Sequence, residues 1–194
     1  ISKAVPIALA VVFGLCAVAM IGIMVYFSCI DTKTDLGSFE RIIRFNDIWG
    51  THRGFMWIRS IWIFGDASFI EKLFGVGPDM FYSAFSPYFD DLSKYGDSST
   101  NAAHNEYLNY LITIGITGLL SYLAIVCGTI KNAVKYAKEN PMLIACVSAV
   151  ICYAVQSVVN LYQPITTPLF FIFIALCEAF VRNAKAEKSA VSAV

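Results

Sequence analysis

Charge is scarce in this sequence. Asp, Glu, Lys and Arg make up 14% of its 194 residues, and the two signs cancel to a net charge of zero. A soluble domain covers its surface with about 25% charged residues, so the composition argues against one. The neutral balance also lacks the basic footprint of a nucleic-acid-binding protein. Histidine is rarer still, with only His52 and His104. Zinc takes three or four ligands. Two imidazoles far apart in sequence would need carboxylates such as Asp90, Asp91 or Asp97 to complete a set that no spacing enforces, so no metal is expected. The six cysteines form no CxxC pair, and none lies in the long polar segment after Cys29. They read as small buried apolar residues rather than as metal ligands or a disulfide framework. A GxSxG nucleophile motif is absent, although Asp97, Ser98 and Ser99 lie near His104 in sequence.

What is abundant is hydrophobicity. Apolar residues make up 58% of the chain, and the mean hydropathy is +0.66. A helix needs about 20 apolar residues to cross a bilayer. Four runs qualify: residues 4–27, 107–130, 142–159, and 168–181 extended by Thr166 and Thr167. Pro141 and Pro168 fall at first-turn positions, where a missing N–H is harmless. The expected fold is an all-α integral membrane protein: four transmembrane helices with a large, partly helical extracytoplasmic loop between the first and second. Residues 1–29 form the first span, 30–106 a cap loop with short helices, 107–181 the remaining three spans, and 182–194 a disordered cytoplasmic tail. The chain enters an apolar run directly from Ile1 and is expected to be the C-terminal part of a longer protein.

Lysine and arginine placement sets the orientation. Lys3, Lys131, Lys135, Lys138, Arg182, Lys185 and Lys188 flank the spans on one side, with only Glu139 and Glu187 among them. The 30–106 segment carries 7 basic and 11 acidic residues. The short lysine-rich segments are therefore expected in the cytoplasm and the long loop outside. That loop is not a linker: 13 aromatic residues lie between Phe45 and Phe89, which suits a folded cap at the membrane interface. A helix is expected from Thr51 to Phe64, a turn at "FGVGP", residues 74–78, and the loosest structure between Pro87 and Asn101.

Three stretches could carry chemistry. In "THRGFMWIRSIWIF" a helical period puts Arg53, Met56, Trp57 and Ser60 on one face, and His52 with Arg59 on another. An arginine beside tryptophan can aim its guanidinium at a phosphate; equally, both arginines can reach lipid headgroups from an interfacial helix. The "GVGPDMF" stretch has a GxG without the context of a phosphate loop, and reads as a tight turn. In "TNAAHNEYLNYLITIGITGLL", Asn101 or Thr100 is the expected N-cap. His104 then falls at the third helical position, where the helix dipole disfavours imidazolium and suits a general base. An ordinary helix-start histidine would look the same. Asn109, Gln156 and Asn160 suit interhelical hydrogen bonds. Glu178 and Arg182 suit an i,i+4 ion pair, and Gly115 with Gly118 makes a small patch for close packing.

These stretches, in this order, resemble the C-terminal part of the bacterial O-antigen ligase and O-antigen polymerase family. "HRGFMW" is similar to the family's Arg-x-x-x-Leu element, with Arg53 as the arginine and Trp57 in place of leucine. "LFGVGPDMF" is similar to its glycine turn. In "HNEYLNYLITIGITG", His104 and Asn105 are followed by nine residues, then Gly115 and, after two more, Gly118, as in the family's ligases. The resemblance covers about residues 40–185. It implies a glycosyltransferase of the bacterial cytoplasmic membrane, multi-pass, with its large loop in the periplasm or outside. The donor is an undecaprenyl-diphosphate-linked glycan, and the acceptor is a glycan or glycolipid. His104 and Arg53 are the implied catalytic residues, one activating the acceptor hydroxyl and the other holding the diphosphate. Arg59 and Asn105 join Arg53 as candidate substrate-binding residues. No cofactor is implied. Polymerization of repeat units is the related alternative. The resemblance places a further arginine and more spans in an N-terminal half, so this chain alone is expected to be inactive. A transporter would need polar residues at the midplane of several spans, which these runs lack. A structural subunit with an interaction cap would explain the aromatics but not the spacing of His104, Asn105, Gly115 and Gly118.

Overall fold

A computed structural model describes residues 4–192, with side chains placed at 11, 12 and from 14 to 190. Lys3, used above for orientation, lies outside the described residues. Helices are the only regular elements among them: α1 (Ala4–Val25), α2 (Glu40–Ile43), α3 (Trp49–Asp66), α4 (Phe69–Phe74), α5 (Phe81–Phe85), α6 (Phe89–Ser93), α7 (Glu106–Thr113), α8 (Gly115–Tyr136), α9 (Met142–Gln156) and α10 (Thr166–Ser192). The chain divides into two compact units, Ile1–Ile58 and Arg59–Val194.

In the first unit, α1 runs into a wider helical turn over Tyr26–Ile30. Arg44 then closes the following loop. Its Nη1 reaches both Glu40 carboxylate oxygens at 2.8 Å, its Nε the Phe27 carbonyl at 3.0 Å, and its Nη2 the Thr34 carbonyl at 2.7 Å. Phe45, Trp49 and Trp57 stack edge-on or tilted, with centroids 5.1–6.1 Å apart. The expected loop helix is present but starts later than its pattern suggests. Gly50, Thr51 and His52 are all left-handed, with φ of 59°, 61° and 66°, so regular geometry begins at Arg53. His52 is thus not on a helical face with Arg59. Gly54 sits directly against the Asn46 carbonyl, where a Cβ would overlap it.

In the second unit, α8, α9 and α10 pack together. One core joins Ala133, Leu143, Cys146, Val147, Cys177 and Val181. A second joins Tyr122, Val126, Val150 and Phe170. Among the residues with placed side chains, α8 is both long and apolar enough to cross a membrane, while the Gly14–Ile30 stretch, which begins inside α1, and Met142–Gln156 are apolar but shorter. The 15 residues of α9 rise about 22 Å at 1.5 Å each, against a hydrocarbon core of about 30 Å. Large apolar side chains such as Leu120, Ile125, Val155 and Ile172 remain exposed on these helices.

Several expectations are revised. The 107–130 run is not one helix: it breaks between Thr113 and Gly115, where Gly115 takes φ +68°. The 182–194 tail is helical to Ser192, because Ala, Lys and Glu are good helix formers. Its Lys188 Nζ sits 3.0 Å from Glu139 Oε1. The 87–101 stretch holds α6, anchored by the fully buried Leu92. The cysteines form no disulfide, but only Cys146 and Cys177 are buried; the other four lie on exposed positions. Arg182 Nε does pair with Glu178 Oε1 at 2.8 Å.

Candidate functional site

The loop bearing His104 is defined on both sides by hydrogen bonds. The Ala103 amide points at Asn109 Oδ1, 3.4 Å away. Asn105 caps α7, its Oδ1 accepting from the Leu108 amide at 3.0 Å. The Glu106 amide donates to the Ser157 carbonyl beyond the end of α9 at 2.9 Å. Between these ties His104 holds φ +50°. A β-carbon makes that region unfavourable. Non-glycine residues kept there persist where the surroundings over-determine them, and such positions cluster at functional sites.

The expected cap at Thr100 or Asn101 is not the one used. Asn105 takes the role because Asn at the boundary reaches the free amide three residues on. His104 therefore precedes the cap instead of occupying the first helical turn, and the dipole argument made for the third helical position does not apply. Asn109, expected to bond between helices, turns back to the loop through Ala103. One bond between helices is made instead by Tyr107, whose Oη donates to the Ala154 carbonyl at 2.7 Å.

The two glycine motifs form one device. After α4, the amides of Val76 and Gly77 donate to the carbonyls of Ile112 and Thr113, each at 3.0 Å. Those are last-turn carbonyls of α7 that lose their helical partners at the break. Thr117 Oγ1 adds a bond to the Leu73 carbonyl at 2.7 Å. The backbones touch so closely that a Cβ on Gly75 would overlap Thr113, and one on Gly115 would overlap Leu73 and Gly75. The GVG turn thus caps the broken helix rather than standing as an isolated turn. On its far side Tyr162 Oη donates to Asp79 Oδ1 at 3.3 Å. Burial and the neighbouring Asp79 carboxylate push the Tyr162 phenol above its usual range.

The His104 loop, the GVG turn and the α7–α8 break lie within residues 3–123, which match the family model described as O-antigen ligase. The chain belongs to the O-antigen ligase family. Neither a curated protein nor a solved structure matches it. Membership makes this chain part of a group of bacterial integral-membrane enzymes with a ligase activity of glycosyltransferase type in O-antigen and polysaccharide synthesis. A lipid-linked glycan and an acceptor are the substrates that such a ligase implies.

The O-antigen ligase match contains all four candidate residues. Arg53 lies in the first unit, at the point where α3 becomes regular, and is partly exposed. The Gly50 turn wraps against its side chain: a Cβ there would lie 3.6 Å from Arg53 Cβ and Cδ. Arg59, His104 and Asn105 lie in the second unit. Arg59 holds its guanidinium carbon 4.9 Å from the Trp62 ring centre, so a cation–π contact orients it. Asn105 is 7% exposed, with its carbonyl oxygen engaged in the cap.

Sequence reasoning missed Glu106. In the sequence it is one more charge of the outer segment, yet it is fully buried. Its carboxylate accepts from Tyr110 Oη at 2.8 Å, Ser157 Oγ at 2.8 Å and Tyr153 Oη at 3.1 Å. One signal was available: an acidic residue directly after an Asn cap, with tyrosine four positions on.

Proposed function

We propose that this chain takes part in the transfer of a glycan from an undecaprenyl-diphosphate carrier to an acceptor sugar hydroxyl at the outer face of the bacterial cytoplasmic membrane. In this reading the apolar helices cross the bilayer four times, and the 30–106 segment forms the extracytoplasmic cap. The acceptor oxygen attacks the anomeric carbon from the face opposite the diphosphate. A new C–O bond forms, the glycosidic bond to the diphosphate breaks with inversion, and the acceptor proton passes to the His104 imidazole. An imidazole changes charge within the physiological range and can accept a proton there. Undecaprenyl diphosphate leaves with its negative charge met by Arg53, while Arg59 and Asn105 contribute to substrate binding. Fixed cations aimed at developing charge act most strongly in a water-poor site.

The observation that supports this reading best is the backbone of His104: a histidine kept at φ +50° between two hydrogen-bonded ties. A solvated helix-start histidine has no need of that conformation. The test follows consumption of lipid-linked glycan donor by the protein in its native membranes. Loss of a general base lowers turnover by about 10²–10⁴-fold, and loss of an oxyanion-stabilising donor by about 10²–10³-fold. His104→Ala and Arg53→Ala are expected to fall in those ranges. Wild-type turnover in either variant removes that residue from the mechanism. Supplying repeat-unit and terminal acceptors separately distinguishes polymerization from ligation.

A further inference from the structure

The Glu106 carboxylate is buried against hydroxyl groups instead of a cation. None of the ion pairs of the described residues includes it. Tyr110 reaches one of its oxygens, while Ser157 and Tyr153 converge on the other. These donors come from α7, from α9 and from the residue just past α9. Tyr153 Oη also lies 2.7 Å from Thr167 Oγ1, at the start of α10. Three neutral donors, one from its own helix and two from the end of α9, hold the carboxylate in one orientation. A single lysine would only neutralise it.

Glu106 also grips Ser157 twice. Its amide donates to the Ser157 carbonyl, and its carboxylate receives the Ser157 hydroxyl. A two-point clamp of this kind prevents the start of α7 from sliding or turning against the end of α9. His104 lies two residues before the clamp.

We infer that Glu106 is a positioning residue for His104. It sets where the imidazole stands by fixing the backbone that follows it, and it does not touch substrate. The Asn109–Ala103 bond fixes the backbone that precedes it. This inference rests on the reading that His104 receives the acceptor proton. The clamp therefore governs the chemical step and not the hold on the donor diphosphate, which is assigned to Arg53.

The experiment measures kcat and donor KM in native membranes for Glu106→Gln, Ser157→Ala and His104→Ala. The amount of folded protein and the melting temperature of each variant are measured alongside. Displacing a reacting group by about 1 Å lowers rate by about 10²-fold. Glu106→Gln is expected to lower kcat by about 10–100-fold on that basis, with donor KM unchanged within about twofold. Ser157→Ala removes one of the three donors and is expected to act in the same direction by less. Both readings are taken at a temperature where the variants remain folded. Wild-type kcat in both clamp variants, with His104→Ala inactive, overturns the positioning role and leaves the base assignment standing. Wild-type turnover in His104→Ala overturns both. A kcat loss matched by an equal loss of folded protein, or a rise in donor KM as large as the fall in kcat, shows a structural role and also overturns the inference.

Discussion

Replacing Gly115 by alanine should disrupt the crossing of the GVG turn and the α7–α8 break. The new Cβ would meet the Leu73 carbonyl, and the Gly75 amide nitrogen at 2.6 Å. Both are backbone atoms and cannot rotate aside as a side chain would. Gly115 also sits at φ +68°, where an L-residue incurs about 1–2 kcal/mol. Overfilling a packed contact adds about 1–3 kcal/mol, for a total of about 2–5 kcal/mol. The matched control is Gly128→Ala inside α8, where nothing lies within 4 Å of an added Cβ. That change should be neutral or stabilising by about 0.5–1 kcal/mol. Hydrogen exchange in detergent-solubilised protein reads the effect locally, through the Val76 and Gly77 amides that donate to Ile112 and Thr113. If these amides exchange by local opening, a loss of about 2 kcal/mol speeds exchange about 30-fold. The melting temperature should fall for Gly115→Ala and hold for Gly128→Ala. Unchanged protection of Val76 and Gly77 in Gly115→Ala would refute the close crossing. Equal destabilisation by both variants would reduce it to a general glycine effect.

Asn105 separates capping from substrate contact. Asn105→Ala should lower stability by about 1 kcal/mol through the lost Leu108 bond, whereas Asn105→Asp retains a capping oxygen. Recovery of donor turnover in the Asp variant along with stability would assign Asn105 to the cap; stability without turnover would point to substrate contact through its amide group. The capping box of α4 predicts a pH effect. Hydrogen bonds with Ser68 hold Glu71 below its usual carboxylate range. Its contribution to stability is full above the unfolded-state pKa near 4.5 and is lost as pH falls through the lower folded-state value. Thermal melts at pH 7 and below pH 4 should therefore differ less in Ser68→Ala than in wild type, and an identical pH response would count against the box.

The helical class and the family were legible because they rest on local signals. Long apolar runs bound by Pro141 and Pro168 define helix starts without reference to neighbours, and α10 begins at the expected Thr166. The His104-to-Gly118 spacing lies in one contiguous stretch and falls inside the family match. The Glu178–Arg182 pair was legible because four residues bring side chains together on any helix. Interruptions were harder to see. Nothing local distinguishes the apolar sequence across Thr113, Ile114 and Gly115 from an unbroken span. A lone glycine inside a helix is tolerated at about 1 kcal/mol, so the pattern favoured continuity.

The site was legible in its residue types but not in its connections. The GVG turn reads as weak on its own because its partners, Ile112 and Thr113, lie about 35 residues on. The cap at Asn105 in place of Asn101 could not be chosen by propensity, since both are asparagine; the Ser157 carbonyl that receives the Glu106 amide is what anchors the start of α7 there. Glu106 looks like one more surface charge until Tyr110, Tyr153 and Ser157 surround it.

By itself, then, the sequence determined the apolar helices, the aromatic segment between the first two apolar runs and the ordered motifs of the O-antigen ligase family. Each depends on composition or on spacing within one stretch. Only the tertiary structure decided that Gly75 and Gly115 meet in one backbone crossing, that His104 precedes the helix in a left-handed turn, and that a buried carboxylate ties that turn to the end of α9. The physical reason is that a backbone carbonyl or hydroxyl carries no mark of its partner in the sequence. Which donor reaches it is settled only when distant segments are packed together.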